Sequence, residues 1–196
     1  MKGMASEGFT LWMTGLPGSG KSTLAGVLKT KLEGQGRRVE ILDGDEVRKG
    51  LSRDLGLSRE DREEHAWRVS FVSKLLSRNG VVAIVALISP YRTSRESAKQ
   101  MIGPERFVEV YVKASLQVCE MRDPKGLYAK ARRGEITNMT GIQDPYEEPT
   151  DADIVVETEK GTPEQSAEFI IQELRRRRKL ARPRRTSARG SKIWAR

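Results

Sequence analysis

The sequence predicts an α/β fold, a parallel sheet covered by helices on both faces. Three observations carry that prediction. Short apolar segments alternate with helical patterns along the chain. The most apolar run, residues 81–88 (V-V-A-I-V-A-L-I), is short and β-branched, as in a strand buried on both faces. A glycine-rich turn stands between the first strand pattern and the first helix pattern.

In chain order, residues 9–14 (F-T-L-W-M-T) read as a buried strand. Residues 21–32 carry Leu24, Val27, Leu28 and Leu32 at helical spacing and stop at Gly34 and Gly36. Residues 39–42 form a second strand, followed by a short helical segment bearing Arg48. Ser58-Arg59-Glu60-Asp61 resembles a capping box and opens a helix to about Asn79. The strand over residues 81–88 ends at Ser89-Pro90. Pro90 in the first helical position then places Ser89 as an N-cap, as a ligand contact at the strand end, or as both. Residues 107–112 are a strand, 115–122 a short helix, 127–133 a further helical stretch, 134–152 a long loop and 154–156 the last strand. Thr162-Pro163-Glu164-Gln165 gives an N-cap, a proline at the first helical position and a capping partner. The helix that follows places Ala167, Ile170, Ile171 and Leu174 on one face.

A chain of 196 residues suits one domain, assigned here to residues 1–178. The formal net charge of +9 is unevenly distributed: residues 175–196 hold eleven basic and no acidic residues, which leaves −2 for the rest. The basic character therefore belongs to a C-terminal tail, residues 179–196. That tail reads as a solvated extension whose first residues continue the last helix, with nucleic acid or another anionic surface as the alternative partner. No apolar run approaches the ~20 residues that span a bilayer, and the start lacks the pattern of a secretory signal. The single cysteine, Cys119, fits a reducing compartment, so a cytoplasmic location is expected. One cysteine and one histidine, His65, are a poor basis for a zinc site.

Gly15-Leu16-Pro17-Gly18-Ser19-Gly20-Lys21-Ser22 matches G-x-x-x-x-G-K-[ST] and lies between a strand and a helix, as the motif requires. Glycines let successive N–H groups face one anion, and the helix N-terminus adds its dipole. Lys21 is expected to reach the β- and γ-phosphates of ATP and Ser22 to bind Mg²⁺, with Thr23 a lesser contact near the α-phosphate.

Open α/β sheets bind ligands at the carboxyl ends of their strands. Asp43-Gly44-Asp45 ends the second strand, and in an extended segment the two carboxylates face the same way. Either a plain turn or a site for a substrate hydroxyl and Mg²⁺ fits them. Arg62, His65, Val69, Val72 and Leu76 share one helix face, so the first turn is expected to line a cleft while the rest packs inside. Arg48 and Arg62 are then candidates for an anionic second substrate. His65 is either a ligand contact or a satisfied cleft-edge histidine. The segment 122–148 reads as a lid, with Lys125, Lys130, Arg132 and Arg133 available to cover phosphates. By type alone, Leu57 and Met139 are ordinary core or lid residues.

The blocks G-L-P-G-S-G-K-S-T, L-D-G-D-x-V-R-x-G-L, D-L-G-L-S-x-E-D-R, I-S-P-Y-R, R-D-P-K-G-L-Y-x-K-A-R-x-G-E-I and T-G-I-x-D-P-Y-E-x-P stand in the order seen in adenylyl-sulfate kinases. The chain resembles that family over about residues 8–175. The resemblance implies a P-loop NTPase fold of nucleotide-kinase type: a three-layer sandwich around five parallel strands, with a lid. It implies transfer of the ATP γ-phosphate to the 3′-hydroxyl of adenylyl sulfate, and usually a homodimer. By position, Asp43 and Asp45 match carboxylates near the 3′-hydroxyl and Mg²⁺. Arg48 and Arg62 match arginines that hold the phosphosulfate, and Lys125 and Lys130 match lid positions. Ile88 and Ser89 match a substrate-binding turn whose serine is often described as a phosphoserine intermediate. Direct in-line transfer is the expectation here, because P-loop kinases align donor and acceptor without a covalent step.

Three positions depart from the family pattern. Leu57 and Met139 replace phenylalanines that usually sandwich the substrate adenine, and His65 replaces an asparagine. The expectation is weaker binding of adenylyl sulfate or an altered acceptor. The alternatives are a P-loop kinase for another small hydroxyl acceptor and a nucleotide-binding module that works through its tail.

Overall fold

Every residue of Thr10–Thr14 is buried, and this segment forms the middle strand, β1, of a five-stranded sheet. The computed structural model describes residues 7–180. After β1 come α1 (Lys21–Glu33), β2 (Arg38–Asp43), α2 (Gly44–Gly50), α3 (Arg59–Arg78), β3 (Val81–Ala86), α4 (Arg92–Ile102) and β4 (Phe107–Lys113). The chain then runs through α5 (Leu116–Arg122), α6 (Leu127–Arg132), β5 (Ile154–Glu157) and α7 (Pro163–Arg176). All strand pairs are parallel, in the order β2-β3-β1-β4-β5.

Alternate residues of β1 feed opposite faces, as the period of a strand requires. Leu11 and Met13 pack with Leu24 and Leu28 of α1 and Ile170 and Leu174 of α7. Trp12 points the other way, into a layer with Ala66 and Val69 of α3 and Ala98 and Ile102 of α4. A third cluster, Cys119, Tyr128, Ala131 and Met139, with Leu16 against it, fixes the segment after α5 to the turn after β1. The alternation of short apolar runs with helices thus becomes three layers, which all the carboxyl strand ends leave on one side.

Several expectations are corrected. The strand starting at Val81 stops at Ala86, not at residue 88, and α4 begins at Arg92 with Tyr91 at its N-cap. Ser89 is therefore no N-cap and Pro90 is not in the first helical position. The cap comes from far along the chain, because the Arg92 N–H donates to a carboxylate oxygen of Glu147 at 2.7 Å. The buried face of α3 also differs from the expected stripe. His65, Ala66, Val69, Ser70, Ser73 and Ser77 are its buried residues, while Val72 and Leu76 are only half-buried. Small serines let the helix lie close to its neighbours, and Ser73 returns its hydroxyl to the Val69 carbonyl at 2.8 Å. The last helix is not continued by the basic segment. The chain turns at Arg177–Arg178, and Leu180 folds back into the core. The rest of the tail, residues 181–196, lies outside the described residues.

Candidate functional site

The carboxyl end of β1 runs straight into the glycine-rich turn. A Cβ on Gly15 would stand 2.4 Å from the Val112 carbonyl oxygen, and Gly18 has φ 79° with Cys119 backbone beneath it. Only glycine fits such positions without strain. The Lys21 ammonium donates to the carbonyls of Gly15 and Leu16, both at 2.8 Å. Burial pushes its pKa down to about 8. A buried cation at the N-terminus of α1 is suited to a polyanion, whose charge would restore the ammonium.

One cleft of about 820 Å³ runs from this turn across the strand ends. That lies in the upper part of the ~300–1,000 Å³ range of small-molecule sites. Lys21, Asp43 and Ser89 all line it, from the ends of three neighbouring strands. So do Pro17, Gly18, Gly20, Ser22, Thr23, Asp45, Arg48, Leu57, Arg62, His65, Ile88, Lys125 and Met139. Gly15, Leu16 and Ser19 belong to the turn but do not line the cleft. Ser19 is fully buried and Leu16 packs under the lid.

The two carboxylates do not face the same way, as an extended chain would have placed them. The backbone enters α2 at Gly44, so Asp43 caps that helix by accepting the Asp45 N–H at 3.0 Å, and its other oxygen accepts the Ser22 hydroxyl at 2.6 Å. Asp45 turns instead to the lid, where it pairs with Lys125. Gly44 packs close to its neighbours: a Cβ there would meet a Leu87 methyl at 2.8 Å, and that side chain would have to shift.

Arg48 donates to the Gly56 carbonyl at 2.9 Å. Arg62 donates to the carbonyls of Leu57 at 3.0 Å and Asn138 at 2.7 Å. The two guanidinium groups sit close enough that burial, with each other's charge, holds Arg48 below its ordinary pKa. Such a pair disfavours further positive charge and welcomes an anion. His65 is buried, with Nδ1 2.9 Å from the Ser52 hydroxyl and Nε2 without a partner. Burial, then the charge of Arg48, lowers its pKa to about 4, so the imidazole is neutral near pH 7.

Of Lys125, Lys130, Arg132 and Arg133, only Lys125 lines the cleft. Lys130, Arg132 and Arg133 are exposed; Arg132 pairs with Glu120 and Arg133 with Glu135. Leu57 and Met139, which residue type alone left as ordinary packing residues, both line the cleft. Leu57 is 49% exposed and Met139 only 6%.

Sequence reasoning missed Arg122 and Thr158. Thr158 follows β5 and donates its hydroxyl to the Ser19 carbonyl at 2.8 Å, while Arg122 donates to the Thr158 carbonyl at 2.9 Å. Both line the cleft beyond the glycine-rich turn. The strand-end rule that led to Asp43 and Ser89 would have found Thr158, had it been applied to the last strand.

A phosphate-binding loop opening the first helix, with acidic and guanidinium groups across the same cleft, defines an ATP-dependent phosphotransferase of the P-loop class. The family model described as Adenylylsulphate kinase matches residues 7–157. The chain belongs to the adenylylsulphate kinase family. It is 52% identical over 168 residues to the adenylyl-sulfate kinase of Halothermothrix orenii, covering 86% of this chain and 90% of that one. It is 54% identical over 165 residues to a probable adenylyl-sulfate kinase of Pyrococcus abyssi, covering 84% and 94%. Among solved structures it resembles the Mycobacterium tuberculosis APS kinase CysC in complex with AMPPNP and APS. There the TM-score is 0.84 and the identity 43%, with 86% of this chain and 98% of that chain covered.

Proposed function

We propose that this protein transfers the γ-phosphate of ATP to the 3′-hydroxyl of adenylyl sulfate, giving 3′-phosphoadenylyl sulfate and ADP. The observation that carries this reading is the single cleft with the phosphate loop at one end and Arg48 and Arg62 at the other. Asp43 and Asp45 line the same cleft.

The loop N–H groups and Lys21 hold the ATP phosphates, and Lys21 follows the charge that develops on the transferring group. The Ser22 hydroxyl and Asp43 carboxylate, 2.6 Å apart, fit Mg²⁺, which takes one or two protein oxygens and otherwise phosphates and waters. When bound, the ion neutralises phosphate charge. Asp43 orients the acceptor hydroxyl and takes its proton. Arg48 and Arg62 hold the phosphosulfate, and Ile88 and Ser89 form the floor beneath the acceptor. Ser89 is buried, and its hydroxyl accepts the Trp12 indole N–H at 3.2 Å, an arrangement that favours direct transfer over a serine-bound phosphate. The lid, residues 122–148, closes over both ligands through Lys125 and excludes water. A panel of acceptors offered with γ-labelled ATP tests the reading. Label is expected on adenylyl sulfate; label on a nucleoside or sugar alone, with none on adenylyl sulfate, refutes it.

Leu57 and Met139 supply apolar contact to the adenine where the resemblance implies aromatic stacking. Stacking is worth about 1–3 kcal/mol per base in comparable contacts, part of which an aliphatic chain or a thioether recovers. Leu57→Phe and Met139→Phe are therefore expected to tighten adenylyl sulfate severalfold in an equilibrium titration. Unchanged affinity in both variants refutes this role.

The resemblance also supports a homodimer, and α3 offers a surface for it. Trp67 and Phe71 are half-exposed and stacked, with centroids 6.3 Å apart at 11°. Such a pair in water is a common mark of an interface. Trp67→Glu with Phe71→Glu is expected to shift the protein to monomer in sedimentation. A parent protein that is already monomeric contradicts the assignment. Among the described residues no helix is long and apolar enough to cross a membrane, and the free Cys119 supports a cytoplasmic site of action.

A further inference from the structure

Arg95 of α4 touches neither end of the cleft, yet it is only 3% exposed and sits at the centre of a buried polar network. Its Nη1 donates to the Ser89 carbonyl and its Nη2 to the Glu147 carbonyl, both at 2.9 Å. Its Nε lies 2.8 Å from a carboxylate oxygen of Glu109 on β4, which balances the buried charge. Ser89 needs holding. It has φ 43°, a left-handed conformation that non-glycine residues rarely adopt. Thr14 donates its hydroxyl to the neighbouring Ile88 carbonyl at 2.7 Å, and Trp12 fixes the Ser89 hydroxyl.

The second carbonyl belongs to the end of the lid. Glu147 is bound once to the acceptor turn and twice to α4. Its N–H donates to the Pro90 carbonyl at 2.9 Å, its side chain accepts the Arg92 N–H, and its carbonyl accepts Arg95. Tyr91 donates its hydroxyl to Asp144 at 2.7 Å, and the hydroxyls of Tyr146 and Thr14 meet at 2.9 Å. One rigid, planar guanidinium therefore ties the floor under the acceptor to the point where the lid rejoins the body.

We propose that Arg95 is a positioning residue. It holds the strained Ser89 turn in its acceptor-binding shape and makes the lid's anchor part of the same unit. The proposal rests on the assignment of the acceptor end of the cleft given above. A lysine can reach one carbonyl but not both while facing Glu109, so charge alone cannot replace the fork.

The test compares the parent with Arg95→Lys and with the double variant Arg95→Met/Glu109→Gln, which removes both buried charges and leaves none unpaired. Both variants are expected to raise KM for adenylyl sulfate at least about tenfold while KM for ATP stays within about twofold. Hydrogen exchange at the Glu147 amide is expected to quicken in both. Unchanged KM for adenylyl sulfate in a folded variant overturns the proposal, as does an equal rise in both KM values, which marks a merely structural role. The exchange measurement needs no substrate. If the parent does not phosphorylate adenylyl sulfate, the functional reading fails alone, and unchanged exchange at Glu147 in a folded variant still overturns the coupling. Should the double variant fail to fold, Arg95→Lys carries both readouts.

Discussion

Lys21→Ala is expected to reduce turnover by about a thousandfold or more while the protein keeps its fold. The ammonium is buried beside the glycine-rich turn and donates to that turn's own carbonyls. Its desolvation is already paid for by the fold, so the charge is available to a phosphoryl group in a water-poor cleft, where it counts for far more than in solution. Removing one donor from a preorganised anion site of this kind commonly costs roughly two to three orders of magnitude in rate, and a full positive charge at the transferring group costs at least as much. The variant loses a buried ammonium rather than a packed apolar group, so its melting temperature should stay near that of the parent. The same residue sets a pH dependence. Burial lowers its pKa to about 8, and bound phosphates favour the charged form. Nucleotide affinity should accordingly be constant at low pH and fall as pH rises through about 8 in the parent, and this fall should vanish in Lys21→Ala. Turnover within tenfold of the parent would refute the role of Lys21.

Asp43→Asn should separate chemistry from binding. Asparagine is as good an N-cap as aspartate, so α2 keeps its start and the stability change should be small. What is lost is the proton acceptor and half of the oxygen pair with Ser22. General-base contributions are typically about 10²–10⁴-fold. A kcat lowered by that factor, with the Kd for ATP measured without Mg²⁺ changed less than about fivefold, is the expected result in stopped-flow and titration experiments. An unchanged kcat would remove Asp43 from the reaction. Asp45 is the natural comparison, because the turn at Gly44 aims it at Lys125 of the lid instead of at Ser22. Its loss should act chiefly on lid closure.

The sheet was legible because its signals are local. A strand buried on both faces is apolar along most of its length, and residues 81–86 are apolar at every position. The phosphate loop was legible because backbone geometry imposes glycine at fixed spacings. What escaped was the part settled by contacts between distant segments. Glu147 caps α4 from 55 residues away, so nothing near Arg92 marks where that helix begins. Half of the inner face of α3 is serine, which carries no apolar period, so the stripe through Val72 and Leu76 does not mark that face. Asp43 and Asp45 both line the cleft, but in different directions, because a helix begins where the sequence alone suggests an extended chain.

Residues 122–148 show the same division. Lys125, Lys130, Arg132 and Arg133 look alike in the sequence. Only the fold distinguishes Lys125, which meets Asp45 across the cleft, from Arg132, which meets Glu120 of α5, and Arg133, which meets Glu135. Arg95 left no trace in the sequence. A single arginine on a polar helix is ordinarily a surface residue, and its burial depends on Glu109 arriving from β4.

The central claim is that one cleft holds ATP and its acceptor together, so that the phosphoryl group passes directly between them over a Ser89 that does no covalent chemistry. The stereochemistry at phosphorus reads this most directly, using ATP made chiral at the γ-phosphorus by isotopic oxygen and adenylyl sulfate as acceptor. A single in-line displacement inverts the phosphorus, and inversion is the expected result. Retention requires two displacements and would contradict the claim, placing a phosphorylated enzyme residue between donor and product.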